Sequence, residues 1–374
     1  MREWGYFLFY VSFFFFYFSA GAYAAWRINA GLKIAAPYKY YLYAAAALMS
    51  AVSTFAYICS RYNIDPLAYH LSIIGGIWMG IAAISFSVLL INDLLNFANY
   101  IFKIKRFRHY STIISIILII LLCAWSFINV AVILKVKEIK IKAPQLKTDR
   151  LSITLLADMH IDKQTSFESI RQIVDTANSL NSDIIAIAGD LIDIDISETY
   201  SQYGLDKLRA KYGIFAVTGN HEYFTGVKHY IELCKKLGFV LLRNESFSVN
   251  DNGKEIITVA GINDKEGIKF KVDAPDIEAA FAEIAKDDTV LFLSHRPETF
   301  DAAARHEHKI IQLSGHTHAG QIPPLEIIRR FMKYNYGMYE YGDSKMYVTS
   351  GSRWWRIPMR TFNTSEIVKI VLEK

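Results

Sequence analysis

The chain has 374 residues, 52% of them hydrophobic, and a mean hydropathy of +0.19, too apolar for an ordinary soluble two-domain protein. Residues 1–150 hold 15 Lys/Arg against 5 Asp/Glu, and the remainder holds 26 against 31. The pI of 8.8 therefore averages a basic apolar part and a mildly acidic part, and gives no ground for a nucleic-acid partner. Of the 3 cysteines, only Cys234 lies in the polar part, so no disulfide is expected within it.

Residues 5–26 are almost unbroken Phe, Tyr, Leu, Val and Ala. Ala20-Gly21-Ala22 imitates a cleavage site, but the run is longer than the apolar core of a signal peptide. Further apolar runs cover residues 38–59, 67–91 and 112–134. Each is long enough to cross roughly 30 Å of hydrocarbon. The reading is a transmembrane region of four helices over residues 1–135, in a plasma or inner membrane. Loops 27–39 and 92–111 carry Arg27, Lys33, Lys39, Lys103, Lys105, Arg106 and Arg108. The positive-inside rule puts them in the cytoplasm, and hence the second domain outside. The main ionisable candidates, His70 and Asp93, fall near expected helix ends, so the helices read as an anchor or as a surface that recruits a lipid.

A domain over residues 136–374 follows, in which short strands alternate with helices. Residues 136–141 alternate as a first strand does. Strands are expected at 151–157, 184–188, 213–218, 240–242, 255–260, 290–294, 309–313, 346–349 and 367–372, the last closing the domain as a β edge. Helices are expected at 166–180, 205–211, 227–237 and 277–285. The first of these carries Ile170, Ile173, Val174, Ala177 and Leu180 on one face. The pattern is that of an α/β domain large enough for its own core.

The organising stretch is Ile-Ile-Ala-Ile-Ala-Gly-Asp at 184–190, a buried strand that stops at Gly189 and delivers Asp190. Ligands of open α/β sheets sit beyond the carboxyl ends of strands. The other strand ends carry Asp158-Met159-His160, Gly219-Asn220-His221-Glu222, His295 and Gly315-His316-Thr317-His318. Each block alone has a plain explanation as a capped turn or a core histidine. Five together, all at strand ends, do not. Side chains two apart on an extended segment point the same way, so Asp158 converges with His160 and His316 with His318. Carboxylate, amide and imidazole donors in this number suit two divalent ions bridged by Asp190, with Mn, Fe or Zn favoured over Ca or Mg. Two such ions can clamp a phosphoryl group and activate a water.

The five blocks, in this order, resemble the calcineurin-like metallophosphoesterase superfamily, over residues 140–374. That resemblance implies a two-sheet β-sandwich flanked by helices. It implies that Asp158, His160, Asp190 and His318 hold one metal and Asp190, Asn220, His295 and His316 the other. His221 matches the family's non-ligand histidine, which protonates the leaving oxygen or steadies phosphoryl charge. A metal-bridging hydroxide would be the nucleophile, with no covalent phosphoenzyme. The chain is further similar to a bacterial branch with an N-terminal membrane segment, in which Gly-His-Thr-His-Gly-Gly-Gln precedes a late Trp-containing block. Here Ala319 stands for one glycine, Ala157 for a frequent serine, and the late block is 350–360, with Trp354 and Trp355. Arg296, Arg353 and Arg356 are candidate phosphate contacts. The implied activity is hydrolysis of a phosphodiester or phosphomonoester, with a lipid as one possible carrier. The alternatives are a lipid-linked pyrophosphatase of the UDP-diacylglucosamine type, a transporter or receptor with a regulatory phosphoesterase-like domain, and a protein-binding scaffold. The intact ligand set weighs against the last two.

Overall fold

The computed structural model describes residues 2–61, 65–132, 134–286 and 288–374. It divides into two compact units. The helical unit comprises Met1–Val132 together with two later segments, Gln321–Ile328 and Arg356–Phe362. The α/β unit comprises Ile133–Gly320, Arg329–Trp355 and Asn363–Lys374.

The four expected helices form, as α1 (Arg2–Leu32), α2 (Tyr38–Arg61), α3 (Asp65–Phe102) and α4 (Phe107–Val132). Among the described residues, Leu67–Phe102 and Phe107–Ala131 are long and apolar enough to cross a membrane. The helices outrun the apolar runs, and this corrects two expectations. Asp93 lies well inside α3 rather than near its end, and Arg27 lies inside α1 rather than in a loop. The two form an ion pair, and Tyr23 Oη donates to Asp93 Oδ2 at 2.6 Å. Arg27 therefore drops out of the loop charge, leaving Lys33, Lys39, Lys103, Lys105, Arg106 and Arg108 at or near the turns.

The segment Arg356–Phe362 is held by helix side chains and backbone. Trp125 Nε1 donates to Thr361 O at 2.8 Å, Asn129 Nδ2 to Arg360 O at 2.9 Å, and Arg360 N to Ser126 O at 3.2 Å. Ile322, Ile357 and Met359 join the apolar cluster of Ala82, Ala83 and Ile84. A Cβ at Gly76 of α3 would lie 2.6 Å from Arg356 O, so glycine is what lets this backbone approach the helix.

In the α/β unit, the strands are β1 (Leu134–Lys142), β2 (Arg150–Leu156), β3 (Ile184–Ile187), β4 (Ile214–Ala216), β5 (Val240–Leu241), β6 (Glu245–Asp251), β7 (Lys254–Gly261), β8 (Thr289–Leu293), β9 (Lys309–Ser314), β10 (Gly337–Tyr341), β11 (Ser344–Val348) and β12 (Ser365–Glu373). They build two sheets, ordered β1-β12-β2-β3-β4-β5 and β10-β11-β9-β8-β7-β6. The runs β2 to β5 and β7 to β9, with β11, are parallel. Both faces of the inner strands are buried. Ile184 and Ala186 of β3 enter the core shared by the two sheets, while Ile185 and Ile187 enter the layer under α5 (Phe167–Ser179) and α7 (Val227–Leu237). Leu291 and Leu293 of β8 join the shared core, and Val290 and Phe292 pack outward with Phe281. This two-sided burial is why these strands read as continuous apolar runs. Ser166 caps α5, and its buried residues are Ile170, Ile173, Val174 and Ala177.

Several local expectations change. The stretch expected as a helix at 205–211 keeps only a 3-10 turn at Leu205–Lys207. The helix expected at 277–285 stops at Phe281. Strands β6 and β10 were not anticipated, because their exposed faces leave little apolar pattern. The last strand is not an edge. β12 lies between β1 and β2, parallel to one and antiparallel to the other, and is almost wholly buried. Ile370→Ala is therefore expected to cost about 3 kcal/mol, read from the denaturation midpoint of the detergent-solubilised chain. A loss below about 1 kcal/mol would be that of an exposed edge.

Candidate metal centre

The site residues converge from the carboxyl ends of five strands. β2 leads to Asp158 and His160, β3 to Asp190, and β4 to Asn220 and His221 at the start of α6 (Asn220–Thr225). From the second sheet, β8 leads to His295 and β9 to His316 and His318. Asp158, His160 and His318, then His160, Asp190 and His221, then Asp190, His295 and His316 bring donor atoms within 4.8 Å of one another, while Asn220 stands next to His221 at the start of α6. Asp158, His160, Asp190, Asn220 and His295 are buried, and His221, His316 and His318 are partly exposed.

Backbone conformation aims them. Asp158, His160, Asp190, His316 and His318 all have left-handed φ, between 45° and 73°. Each such residue costs roughly 1–3 kcal/mol unless its surroundings impose it, and such residues gather at functional sites. Ala319 shares the conformation at φ 52°, which explains the glycine of the similar sequences. Gly189, at φ 82°, is required twice over, since a Cβ there would lie 2.7 Å from Gly219 N and 2.8 Å from His295 Nδ1.

Glu222 holds the turn that carries Asp190. Its Oε2 accepts from the N–H groups of Asp190 at 3.0 Å and Gly219 at 2.7 Å, and its Oε1 from Leu191 at 2.8 Å and Ile192 at 3.2 Å. Burial and the nearby Asp190 push this carboxyl up to about 7, against the pull of the Gly219 and Ile192 amides. Asp190 Oδ1 accepts from His221 N at 2.9 Å. That leaves Oδ2 facing inward, 3.1 Å from His295 Nε2 and 3.7 Å from His160 Nε2.

Two donor clusters meet at this oxygen. In one, His160 Nε2 lies 3.0 Å from His318 Nε2 and 3.9 Å from Asp158 Oδ1, and His318 Nε2 lies 3.6 Å from Asp158 Oδ1. In the other, His295 Nε2 lies 3.2 Å from His316 Nδ1. His295 Nδ1 donates to Ala188 O at 2.8 Å, so in the neutral ring Nε2 presents a lone pair to the site. Burial alone would lower the His295 pKa, but Asp190 raises it to about 10. His316 moves the other way, held well below the usual range by burial and by His295 and Arg296.

Whether ions fit can be tested on the protein atoms. Asn220 Oδ1 is buried with no hydrogen-bond partner among the described residues, although an amide oxygen so placed ordinarily has one. Imidazole nitrogens face each other at 3.0 and 3.2 Å, and carboxylates lie fully buried beside them. The arrangement suits cations in both clusters, with mixed N and O donors of the kind that hold Mn, Fe or Zn.

Sequence reasoning missed two supporting carboxylates. Asp193 Oδ1 accepts from His160 Nδ1 at 2.9 Å and faces His221 Nδ1 at 2.8 Å. It thereby fixes the His160 ring with Nε2 free for a metal. Burial would raise the Asp193 pKa, but the His160 and His221 rings hold it far below the carboxylate range. Glu222 was visible in its motif without a role. Asp193 had no signal beyond lying three residues after Asp190. Of the candidate phosphate contacts, Arg353 is buried, donates to His160 O at 3.1 Å and stacks on Trp354 at 4.1 Å. Arg296 pairs with Asp264 at 2.7 Å and approaches His316 Nε2 at 3.0 Å. Arg356 lies in the helical unit. Trp355 stands edge-on to His221 at 5.5 Å. A crevice of about 180 Å³ opens beside His316, lined by Glu298, Asp301, Arg329 and Tyr334.

Residues 151–320 match the family model described as calcineurin-like phosphoesterase. Most of the α/β unit is thus similar to a calcineurin-like metallophosphoesterase domain. The chain is 29% identical to a zebrafish (Danio rerio) protein described as a transmembrane protein with metallophosphoesterase domain, over 85% of this chain and 77% of that one. It is 33% identical to an uncharacterized metallophosphoesterase of Helicobacter pylori strain J99, over 64% of each chain, and thus spans just under two thirds of that relative. The structure of the Haemophilus influenzae NAD nucleotidase overlaps 55% of this chain and 45% of its own at 15% identity, with a TM-score of 0.37. The α/β unit carries clusters of metal-binding donors, and among the described residues two helices are long and apolar enough to cross a membrane.

Asp193→Asn is expected to lower metal affinity 10–100-fold, as loss of a carboxylate behind a ligating histidine does. Metal content after dialysis against a graded chelator measures this, and unchanged content would remove Asp193 from the site.

Proposed function

We propose that this chain is a membrane-anchored hydrolase of phosphate esters, working with two divalent ions. One ion is assigned to Asp158, His160, Asp190 and His318, the other to Asp190, Asn220, His295 and His316. The observation that carries the reading is the inward Oδ2 of Asp190, 3.1 Å from a nitrogen of one cluster and 3.7 Å from a nitrogen of the other, as a bridging ligand requires. Bound there, the ions would polarise the phosphoryl oxygens and make a water nucleophilic near neutral pH.

The chain's own residues supply orientation and a proton. His221 is the candidate acid. Burial would lower its pKa, but the Asp190 and Asp193 carboxylates raise it to about 9. With Nδ1 turned to Asp193, Nε2 is the atom that would protonate a departing alkoxide. Asp193 orients both this ring and His160, coupling the acid to the ligand set.

The preferred substrate class is a phosphodiester, with a phosphomonoester or a lipid-linked pyrophosphate as alternatives; the apolar helices are the observation favouring the last. The full chain, loaded with Mn²⁺ in detergent, is expected to turn over bis(p-nitrophenyl) phosphate. Asp190→Ala and Asn220→Ala should abolish both metal content and turnover. His221→Asn should keep the metal and lower kcat about 10²–10⁴-fold. Turnover of p-nitrophenyl phosphate alone would replace the diesterase reading. Metal-dependent turnover of neither, with metal bound, would sink both in favour of a lipid-linked ester.

We further assign the domain to the extracytoplasmic side, from Lys33, Lys39, Lys103, Lys105, Arg106 and Arg108 around the α1–α2 and α3–α4 turns. Added protease should cut the domain in spheroplasts and spare it in inverted vesicles. The reverse pattern would place it in the cytoplasm.

A further inference from the structure

The two segments that join the helical unit, Gln321–Ile328 and Arg356–Phe362, carry an apolar surface that the metal centre does not use. Leu325 is 51% exposed, Ile328 56% and Phe362 54%. They are not loose loop residues. Glu326, fully buried, accepts from Phe362 N at 3.1 Å and so pins the two segments together. Thr361 N donates to Gln321 O at 3.1 Å and Gln321 Nε2 to Ile357 O at 2.8 Å, closing the same framework. Behind it, Ile322, Ile357 and Met359 pack against α3.

This surface continues the outer face of α4. Trp125 is 47% exposed and donates to the carbonyl of Thr361, the residue before Phe362. Along the same helix Ile117, Leu121 and Ile128 are 52%, 61% and 52% exposed. A helix this apolar, with such side chains outward, faces hydrocarbon. Phe362 and its neighbours therefore extend an apolar surface already assigned to lipid. A tryptophan beside them matches the residue type that gathers at the membrane–water boundary. Arg356, at the start of one segment, is exposed, as suits an anionic headgroup. Left in water, the same surface would be an aggregation liability.

We propose that Leu325, Ile328 and Phe362 form a lipid-contacting surface that rests in the interfacial layer of the bilayer, its occupant being membrane lipid with anionic headgroups. The helices then do more than tether the chain: they fold two segments of its second half into the membrane surface.

The test uses the full chain in nanodiscs containing phosphatidylcholine and phosphatidylglycerol. Spin labels are placed singly at Ile328→Cys and Phe362→Cys. Leu121→Cys serves as a hydrocarbon reference and Lys254→Cys, at the exposed start of β7, as an aqueous one. Wild-type protein treated in the same way gives the background from Cys59, Cys123 and Cys234. Relaxation by oxygen should exceed relaxation by a water-soluble nickel chelate at 328 and 362, as at 121. Nickel-dominated relaxation, as at 254, would overturn the proposal. So would labels shielded from both reagents, which would mean that protein covers the surface. The readout needs no turnover, so it stands or falls apart from the phosphoesterase reading.

Discussion

Asp190 is the constraint from which the rest of the site follows. A carboxylate taken out of water and left without compensation is costly. Here it is compensated on every side. Burial would raise its pKa, but His295 and His221 hold it well below the carboxylate range. One oxygen is committed to the His221 amide, and the turn below it is pinned by four N–H groups on Glu222. Asp158 lacks this balance, and burial raises it. Such a concentration of buried carboxylates and imidazoles is satisfied best by cations, and its geometry is maintained by strained backbone rather than by soft side chains.

That strain is affordable because the strands behind it are rigid. β2, β3, β8 and β9 are each buried on both faces, so their ends cannot drift independently. β12 contributes through its place between β1 and β2. Glu366, at its start, accepts from Tyr336, Tyr347 and Thr349 hydroxyls and from Ser350 N, which ties β12 to the loop after β11. Ser352 in that loop donates N–H to Ala157 O, next to Asp158. The C-terminal strand thus reaches the metal centre through a chain of hydrogen bonds, although it supplies no ligand.

The helical unit follows different physics. Its interior mixes alanines with larger apolar side chains, with Ala82, Ala83, Ile84 and Leu89 almost fully buried, and polar groups among the described residues meet one another or the two later segments. Asp93 is paired with Arg27 and Tyr23, as an ionisable residue in an apolar environment must be. Ser126 O accepts from Arg360 N, its hydroxyl meets that of Thr361, and Asn129 Nδ2 donates to Arg360 O.

The sequence by itself determined which donor residues stand at the strand ends, and much of the local frame. Strand ends, period and residue type are local properties, so Asp158, His160, Asp190, Asn220, His221, His295, His316 and His318 could be named before any coordinates. The same holds for α5 and α7, where the apolar period is regular and the caps are explicit. Tertiary structure decided what depends on partners far away in the chain. Asp193 and Glu222 acquire roles only when two rings and four amides arrive around them. β12 looked like an edge because burial on both faces gives no directional signal about which neighbour lies on each side. Arg27 and Asp93 looked like loop charges because each is unfavourable alone, and only their meeting makes both tolerable within a helix. The inclusion of Gln321–Ile328 and Arg356–Phe362 in the helical unit was equally invisible, since a glycine on α3 and an asparagine on α4 carry no mark of what they receive.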